Sequence, residues 1–221
     1  MMAVLGINCA GRWTNAGVAD VGAILAETNR ELARRQSELL PSIAEETLAA
    51  AGVALGDISL VALGTGPGYY TGIRAGIAYG AALARALGVK AVPLSSLELF
   101  VWDMRNEYEL LAPVFRARAS HCYAALYEAR GGVLHEIIAP CFVRVSELAE
   151  QLAAYPSAAI VSPDMEQYPA LAECGCCVVP RESASGGACA LMGIERAALA
   201  VAPEAIRGTY LRAPDIGPTS L

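Results

Sequence analysis

Glycine is the residue type around which this chain could organise chemistry. The run Gly64-Thr65-Gly66-Pro67-Gly68-Tyr69-Tyr70-Thr71-Gly72-Ile73-Arg74 lies between an apolar stretch and a long helical pattern. Such a loop can cradle an anion with its backbone N–H groups, or simply turn a strand into a helix. It is not a Walker A loop, which needs a lysine before its Ser or Thr. Nor is it a dinucleotide fingerprint, because the third glycine falls at Tyr69 counted from Gly64 and at Thr71 counted from Gly66. Gly66 and Gly68 flank Pro67 and make a tight backbone path available. Thr71 is placed to cap the following helix, and Gly72 and Gly76 let that helix approach its neighbours. Arg74, one turn in, can take a carboxylate, a phosphate or a main-chain carbonyl.

Other residue types offer less. His121 and His135 stand 14 residues apart and form neither H-E-x-x-H nor H-x-x-x-H, so zinc hydrolysis is not expected. Cys174-Gly175-Cys176-Cys177 contains a C-x-x-C, but it runs into a strand-like Val178-Val179-Pro180. A redox pair instead opens a helix, whose dipole lowers the thiol pKa. Ser183 and Ser185 lie in a stretch, 183–187, that reads as flexible and has no nearby histidine. Glu27 and Glu45-Glu46 read as solvated charge rather than a catalytic pair, while Arg34-Arg35 stay open between a partner's acid and solvent.

Composition narrows the classes. Of 221 residues, 55% are hydrophobic and 17% charged, against roughly 45–50% and about 25% in an ordinary domain. Intrinsic disorder is excluded, and the apolar excess points to a compact core plus a surface that docks on another protein. With 16 Lys+Arg against 22 Asp+Glu, a net charge of −6, and Lys90 as the single lysine, the chain is a poor solitary nucleic-acid binder. No apolar run is long enough to span a membrane. Seven cysteines without a secretory n-region read as reduced thiols in the cytoplasm.

The elements that must position the loop follow from periodicity. Residues 4–8, 16–20 and 22–27 read as a meander of strands, and 37–51 as an amphipathic helix with Leu40, Ala44, Leu48 and Ala51 on one face, capped by Ser37 and stopped by Gly52. Residues 58–63 form a continuous apolar strand, 71–87 a helix closed by Gly88, and 89–92 a strand. Ser95 or Ser96 then caps a helix towards Met104. The second half repeats this plan: strands at 112–117, 122–128 and 133–138, a helix at 146–154, a strand at 158–161 and a helix at 190–201. Two related α/β lobes are predicted. The N-terminal lobe covers 1–104, with a C-terminal helix near 189–202 packing back on it; a second, degenerate lobe covers 105–188, and 203–221 is a tail.

Taken whole, the glycine loop resembles the G-x-G-P-G-S-[FY]-T-G-[LIV]-R motif of the TsaB (YeaZ) family, partners of TsaD in forming N6-threonylcarbamoyladenosine at position 37 of tRNA. Four further stretches resemble that family in the same order: Val4-Leu5-Gly6-Ile7-Asn8-Cys9, Arg35-Gln36-Ser37-Glu38-Leu39-Leu40-Pro41, Val92-Pro93-Leu94-Ser95-Ser96-Leu97 and Thr209-Tyr210-Leu211-Arg212. The departures are specific. Asn8 stands where the family has Asp, Gln36 where it has His and Tyr69 where it has Ser, and Arg116-Ala117-Arg118 lacks the acids of the family's D-A-R-x-x-E pattern.

The resemblance implies a two-lobed actin/sugar-kinase/Hsp70-like (ASKHA) fold, each lobe a mixed sheet with flanking helices. In active members of that superfamily the first-strand Asp works with Mg²⁺ and phosphate, a charge that Asn8 cannot supply. It therefore implies a non-catalytic scaffold that binds a TsaD-like subunit alongside a TsaE-type ATPase. ATP and metal are then expected on the partner subunits, with none bound by this chain, and tRNA is reached only through the complex. Leu39, Leu40, Ile43, Thr47, Arg74, Ile77 and Tyr79 on the two helices become the candidate partner interface, shared with a possible homodimer. The alternatives are an ATP-dependent phosphotransferase of the same fold and a self-associating module without a tRNA role.

Overall fold

The computed structural model describes residues 3–32, 35–118 and 120–212. Among them the first half forms β1 (Ala3–Asn8), β2 (Trp13–Asp20), β3 (Ala23–Glu31), α1 (Gln36–Ala51), β4 (Ile58–Gly64), α2 (Tyr70–Leu87), β5 (Lys90–Leu94) and α3 (Ser96–Val101). The second half forms β6 (Leu110–Arg116), β7 (His121–Arg130), β8 (Val133–Arg144), α4 (Val145–Leu152), β9 (Ala159–Ser162), α5 (Pro169–Ala172), β10 (Cys177–Pro180) and α6 (Gly186–Glu195).

Two five-stranded sheets result, and they share one plan. The first runs β3-β2-β1-β4-β5 and the second, read from its far edge, β8-β7-β6-β9-β10. In each, three strands form an antiparallel meander and two more add in parallel beside the first of the three. The parallel strands are buried and apolar, as Ile58–Gly64 shows, because helices cover both faces of the sheet there. The architecture is α/β and two-lobed, each lobe a mixed sheet with flanking helices.

Helices α1 and α2 cover the outer face of the first sheet, burying Leu40, Leu48, Leu63 and Ala84 with Leu5 and Ile7. Helices α4 and α5 do the same for the second sheet through Leu148, Leu152 and Leu171. The inner faces meet α3 and α6 in one cluster that joins Val4 and Ala62 of the first lobe to Leu111, Tyr127 and Val161 of the second. Helix α6 lies against β1, β2 and β4, so close that a Cβ on Gly17 would overlap the Gly186 backbone. Among the described residues no helix is long and apolar enough to cross a membrane.

Several boundaries differ from expectation for local reasons. Helix α1 starts at Gln36 with Arg35 at the cap position and no side-chain cap bond, so Ser37 is an exposed first-turn residue rather than the cap. Thr71 is not the cap of α2 either. Tyr69 holds that position, its N–H donating to the Ala10 carbonyl at 2.7 Å while its carbonyl accepts from Ile73 N–H at 2.9 Å. Strands β2 and β3 pair over their whole length, Trp13 opposite Glu31 to Asp20 opposite Ala23. Asn15, Asn29 and Arg30 had interrupted the apolar pattern there.

The largest correction concerns 183–187, which is ordered structure. Ser185 Oγ caps α6 by accepting from Ala188 N–H at 2.9 Å, and Gly186 and Gly187 form the buried first turn. The helix ends at Glu195, and Val201 instead bridges Ala91 on the edge of β5. Arg34 and residues 213–221 lie outside the described residues.

Candidate functional site

The glycine loop is sewn to its surroundings by backbone and hydroxyl groups. Thr65 donates to the Leu94 carbonyl through N–H at 2.9 Å and Oγ1 at 3.1 Å. Gly66 N–H donates to Ser96 Oγ at 3.0 Å, and Ser96 N–H returns a bond to the Gly66 carbonyl at 2.9 Å. With the Tyr69–Ala10 bond, three of the loop's backbone donors are spent inside the protein. Gly68 and Gly72 serve close approach, since a Cβ on either would overlap the Ala10 or Cys9 carbonyl. The loop is thus a strand-to-helix joint docked on the turn after β1, and Pro67 is buried within it.

Asn8, at the end of β1, is 5% exposed. Its Oδ1 accepts from Ala10 N–H at 3.3 Å and from Ser96 Oγ at 3.3 Å, so its Nδ2 must point the other way, to Asn15 Oδ1 at 3.1 Å. Asn15 Nδ2 faces the Ala184 carbonyl at 2.8 Å, Ser183 Oγ at 2.7 Å and Asn29 Oδ1 at 2.9 Å. Asn29 Oδ1 accepts in turn from Gly186 N–H at 3.0 Å. Backbone groups at both ends set the direction of every amide, giving a neutral relay from the loop to the start of α6. The Asn8 side chain fills the space over Gly64, where a Cβ would overlap its Oδ1.

Between the lobes lies a small cleft lined by Asn8, Arg12, Trp13, Tyr69, Phe115 and Asp164 among others. Tyr69 projects into it. Burial, then the Asp164 charge, raises its phenol pKa, while Arg12 and Arg116 act the other way. Arg12 spans the cleft weakly, 3.9 Å from Asp164 and 4.0 Å from Glu31. Asp164 is itself buried, accepting from Gln167 Nε2 at 3.4 Å.

The seven helix positions separate into inward and outward sets. Leu40, Ile43 and Thr47 are 1%, 0% and 0% exposed, so they are not surface residues. Ile43 packs with Ala16 and Leu32, and Thr47 Oγ1 donates to the Ile43 carbonyl at 2.7 Å and meets Thr28 Oγ1 at 2.9 Å. Leu39, Ile77 and Tyr79 are half-buried, and Arg74 is exposed. Burial, then the Glu45 charge, raises the Tyr79 phenol pKa. Arg74 Nη1 donates to the Tyr70 phenol at 3.1 Å and lies 5.2 Å from the centre of its ring. Along α2 the outward row is small: Thr71, Ala78, Ala82 and Ala86 are exposed and Ala75 is half-buried.

The cysteine run sits at the far end of the second lobe. Cys174 Sγ donates to the Leu171 carbonyl at 3.1 Å, and Cys176, with its pKa pushed up to about 11 by burial and the neighbouring Cys174, meets the Leu152 and Tyr155 carbonyls. Cys177 opens strand β10. No group of three or more His, Cys, Asp or Glu is placed for a metal among the described residues. His121 is half-exposed and stacks on Phe142, and His135 is exposed. Sequence reasoning missed Asn15 as the partner of Asn8, and Asn29 and Ser183 as the partners of Asn15. Two asparagines on neighbouring strands within apolar surroundings were the available signal.

Residues 27–193 match the family model described as TsaD: tRNA N6-adenosine threonylcarbamoyltransferase. The tRNA threonylcarbamoyladenosine biosynthesis protein TsaB of Bacillus subtilis (strain 168) is 32% identical over 96 residues, 43% of this chain and 42% of that protein. The tRNA N6-adenosine threonylcarbamoyltransferase of Caulobacter vibrioides is 34% identical over 99 residues, 45% of this chain and 27% of that protein. The chain thus spans less than half the length of these curated relatives. Among solved structures, YeaZ from Pseudomonas aeruginosa superposes with a TM-score of 0.83 at 20% identity, over 96% of this chain and 100% of that one, a likeness of fold.

Proposed function

Because the chain belongs to the family of the tRNA N6-adenosine threonylcarbamoyltransferase TsaD, and sides in sequence and fold with TsaB (YeaZ), we propose that it is an accessory subunit that binds a TsaD-like protein in forming threonylcarbamoyladenosine on tRNA. The partner carries the metal and the transfer chemistry, and a TsaE-type ATPase supplies nucleotide turnover. This chain contributes a rigid docking surface.

The observation that carries this reading is the neutral amide relay at the end of β1. A phosphoryl-transfer site needs a carboxylate there to hold a cation, whereas Asn8 donates to Asn15 and accepts from Ala10 and Ser96. The loop donors of Thr65, Gly66 and Tyr69 are likewise engaged within the chain. The docking surface is the outer side of α2. Its small residues Ala75, Ala78 and Ala82 permit close helix approach, with Leu39, Ile77 and Tyr79 half-buried beside them and Arg74 at its N-terminal end. The same side is available to a second copy of the chain when no partner is present.

Reconstitution tests the proposal. A TsaD-like subunit, a TsaE-type ATPase and a threonylcarbamoyl-adenylate synthase are mixed with tRNA, ATP, threonine and bicarbonate, and the modified nucleoside is quantified with and without this chain. Product that depends on the chain is the expected result. Equal product in its absence, with no complex on size exclusion, removes the accessory role.

A further inference from the structure

The C-terminal segment, residues 206–212, leaves the first lobe across the mouth of the glycine loop. Thr209 N–H donates to the Thr65 carbonyl at 2.7 Å. Tyr210 sets its ring 5.1 Å from that of Tyr70, the ring that Arg74 also covers. Two residues on, a reach of at most about 7 Å, Arg212 lies 5.9 Å from the ring of Phe142 in the second lobe. Phe142 stacks on His121 with centroids 4.7 Å apart. Tyr69, next to Tyr70, faces Arg116 electrostatically. Rings and guanidiniums therefore form one belt from α2, over the loop, to β7 and β8.

This belt differs from the rest of an acidic surface. Tyr69, Tyr70 and Tyr210 are 36%, 45% and 45% exposed. Arg74 and Arg116 are exposed, and neither forms an ion pair among the described residues. Exposed carboxylates are displayed on α1, at Glu38, Glu45 and Glu46; beside the belt, the Asp164 charge acts on Tyr69 together with those of Arg12 and Arg116. In a protein of net charge −6, Arg74 and Arg116, without ion pairs among the described residues, stand beside partly exposed tyrosine rings.

We propose that the belt contacts RNA, its arginines neutralising phosphates while its tyrosines stack on unpaired bases of a looped segment. Guanidiniums alone would suit an acidic protein equally well. The half-exposed rings favour RNA, since every base offers a face to stack on and aromatic–arginine surfaces hold single strands without reading their sequence. With so few free cations the contribution is modest and adds to that of the partner. The inference rests on the proposed role in a tRNA-modifying assembly.

The test titrates a fluorescent anticodon stem-loop RNA into the complex with a TsaD-like subunit at several salt concentrations, for the natural chain and for Arg116→Ala, Arg74→Ala and Tyr69→Ala. Loss of one arginine should weaken binding and lower the slope of log K against log salt by about 0.7–0.9. Tyr69→Ala should weaken binding about fivefold or more with the slope unchanged. Size exclusion checks that each variant still assembles; Arg116, across the cleft from α2, keeps the test alive if Arg74→Ala disturbs docking. Unchanged affinity and slope in assembled variants overturn the inference. So does loss of the protein partner with RNA affinity intact, which would assign the belt to an acidic protein. If the natural chain forms no complex, the accessory role fails. The same variants of the chain alone, titrated with the same RNA, then decide this inference by the same split.

Discussion

Asn8 shows how much one side-chain atom can decide. Replacing its Nδ2 by the second oxygen of Asp would face two acceptors, at Asn8 and Asn15, across 3.1 Å at a site only 5% exposed. Asn8→Asp is expected to destabilise the protein by about 2–3 kcal/mol at pH 7. The aspartate's folded pKa would be raised, because burial and the facing oxygen disfavour its charge. The penalty should therefore shrink as pH falls toward the ordinary carboxylate range, where both states carry the neutral acid. Thermal melts of the two proteins at pH 7 and pH 5 check this; a penalty that is equal or larger at pH 5 would show that the relay does not run as described.

At the scale of elements, the two sides of the α1–α2 pair call for opposite outcomes. Ile43→Asp places a charge among Ala16, Leu32 and the sheet and should unfold the lobe, costing about 4 kcal/mol or more. Ala78→Glu and Ala82→Glu lie on the exposed row, where the cost is within about 0.5 kcal/mol. These two should nevertheless abolish binding of a TsaD-like subunit, measured by co-elution, if close helix approach is what docks the partner. Retained co-elution in both would move the interface elsewhere. The junction of α6 with β2 makes a separate demand. Gly17→Ala has backbone, not a yielding side chain, in its way at Gly186, so a loss of about 3 kcal/mol in urea unfolding is expected.

For the whole molecule, burial of thiols sets an alkaline limit. Cys9, Cys122 and Cys189 are each pushed up to about 12, chiefly by desolvation. In the unfolded chain they ionise near the ordinary thiol value of about 8.5. Their protonated state thus contributes stability that is complete below about pH 8.5 and is lost progressively as pH rises towards the folded value. Each thiol can remove up to about 1.4 kcal/mol per pH unit in that window. Denaturation midpoints should fall between pH 8 and pH 10, and native protein at pH 8 should leave these three cysteines unlabelled by a thiol reagent. Rapid native-state labelling of Cys189 would contradict the closed inter-lobe core, and that of Cys9 the close packing of α2 on the first sheet.

The order of strands and helices was legible because burial imposes local period: the continuous apolar run at 58–63, the four-residue spacing of Leu40, Ala44 and Leu48, and the glycine stops at Gly52 and Gly88 each write their element directly. The glycine loop's identity, and with it the family, was also contained in residue types and spacing. Tertiary structure alone decided the rest, since it depends on which groups far apart in sequence meet. Only folding brings Ser183 and Ala184 to Asn15, 168 and 169 residues away, and so turns a stretch that reads as flexible into the buried start of α6. Only folding turns Ile43 and Thr47 inward while leaving Ala78 and Ala82 outside, because α1 and α2 share a sheet whose position neither helix encodes. The C-terminal Tyr210 and Arg212 likewise acquire neighbours on both lobes that no local pattern could announce.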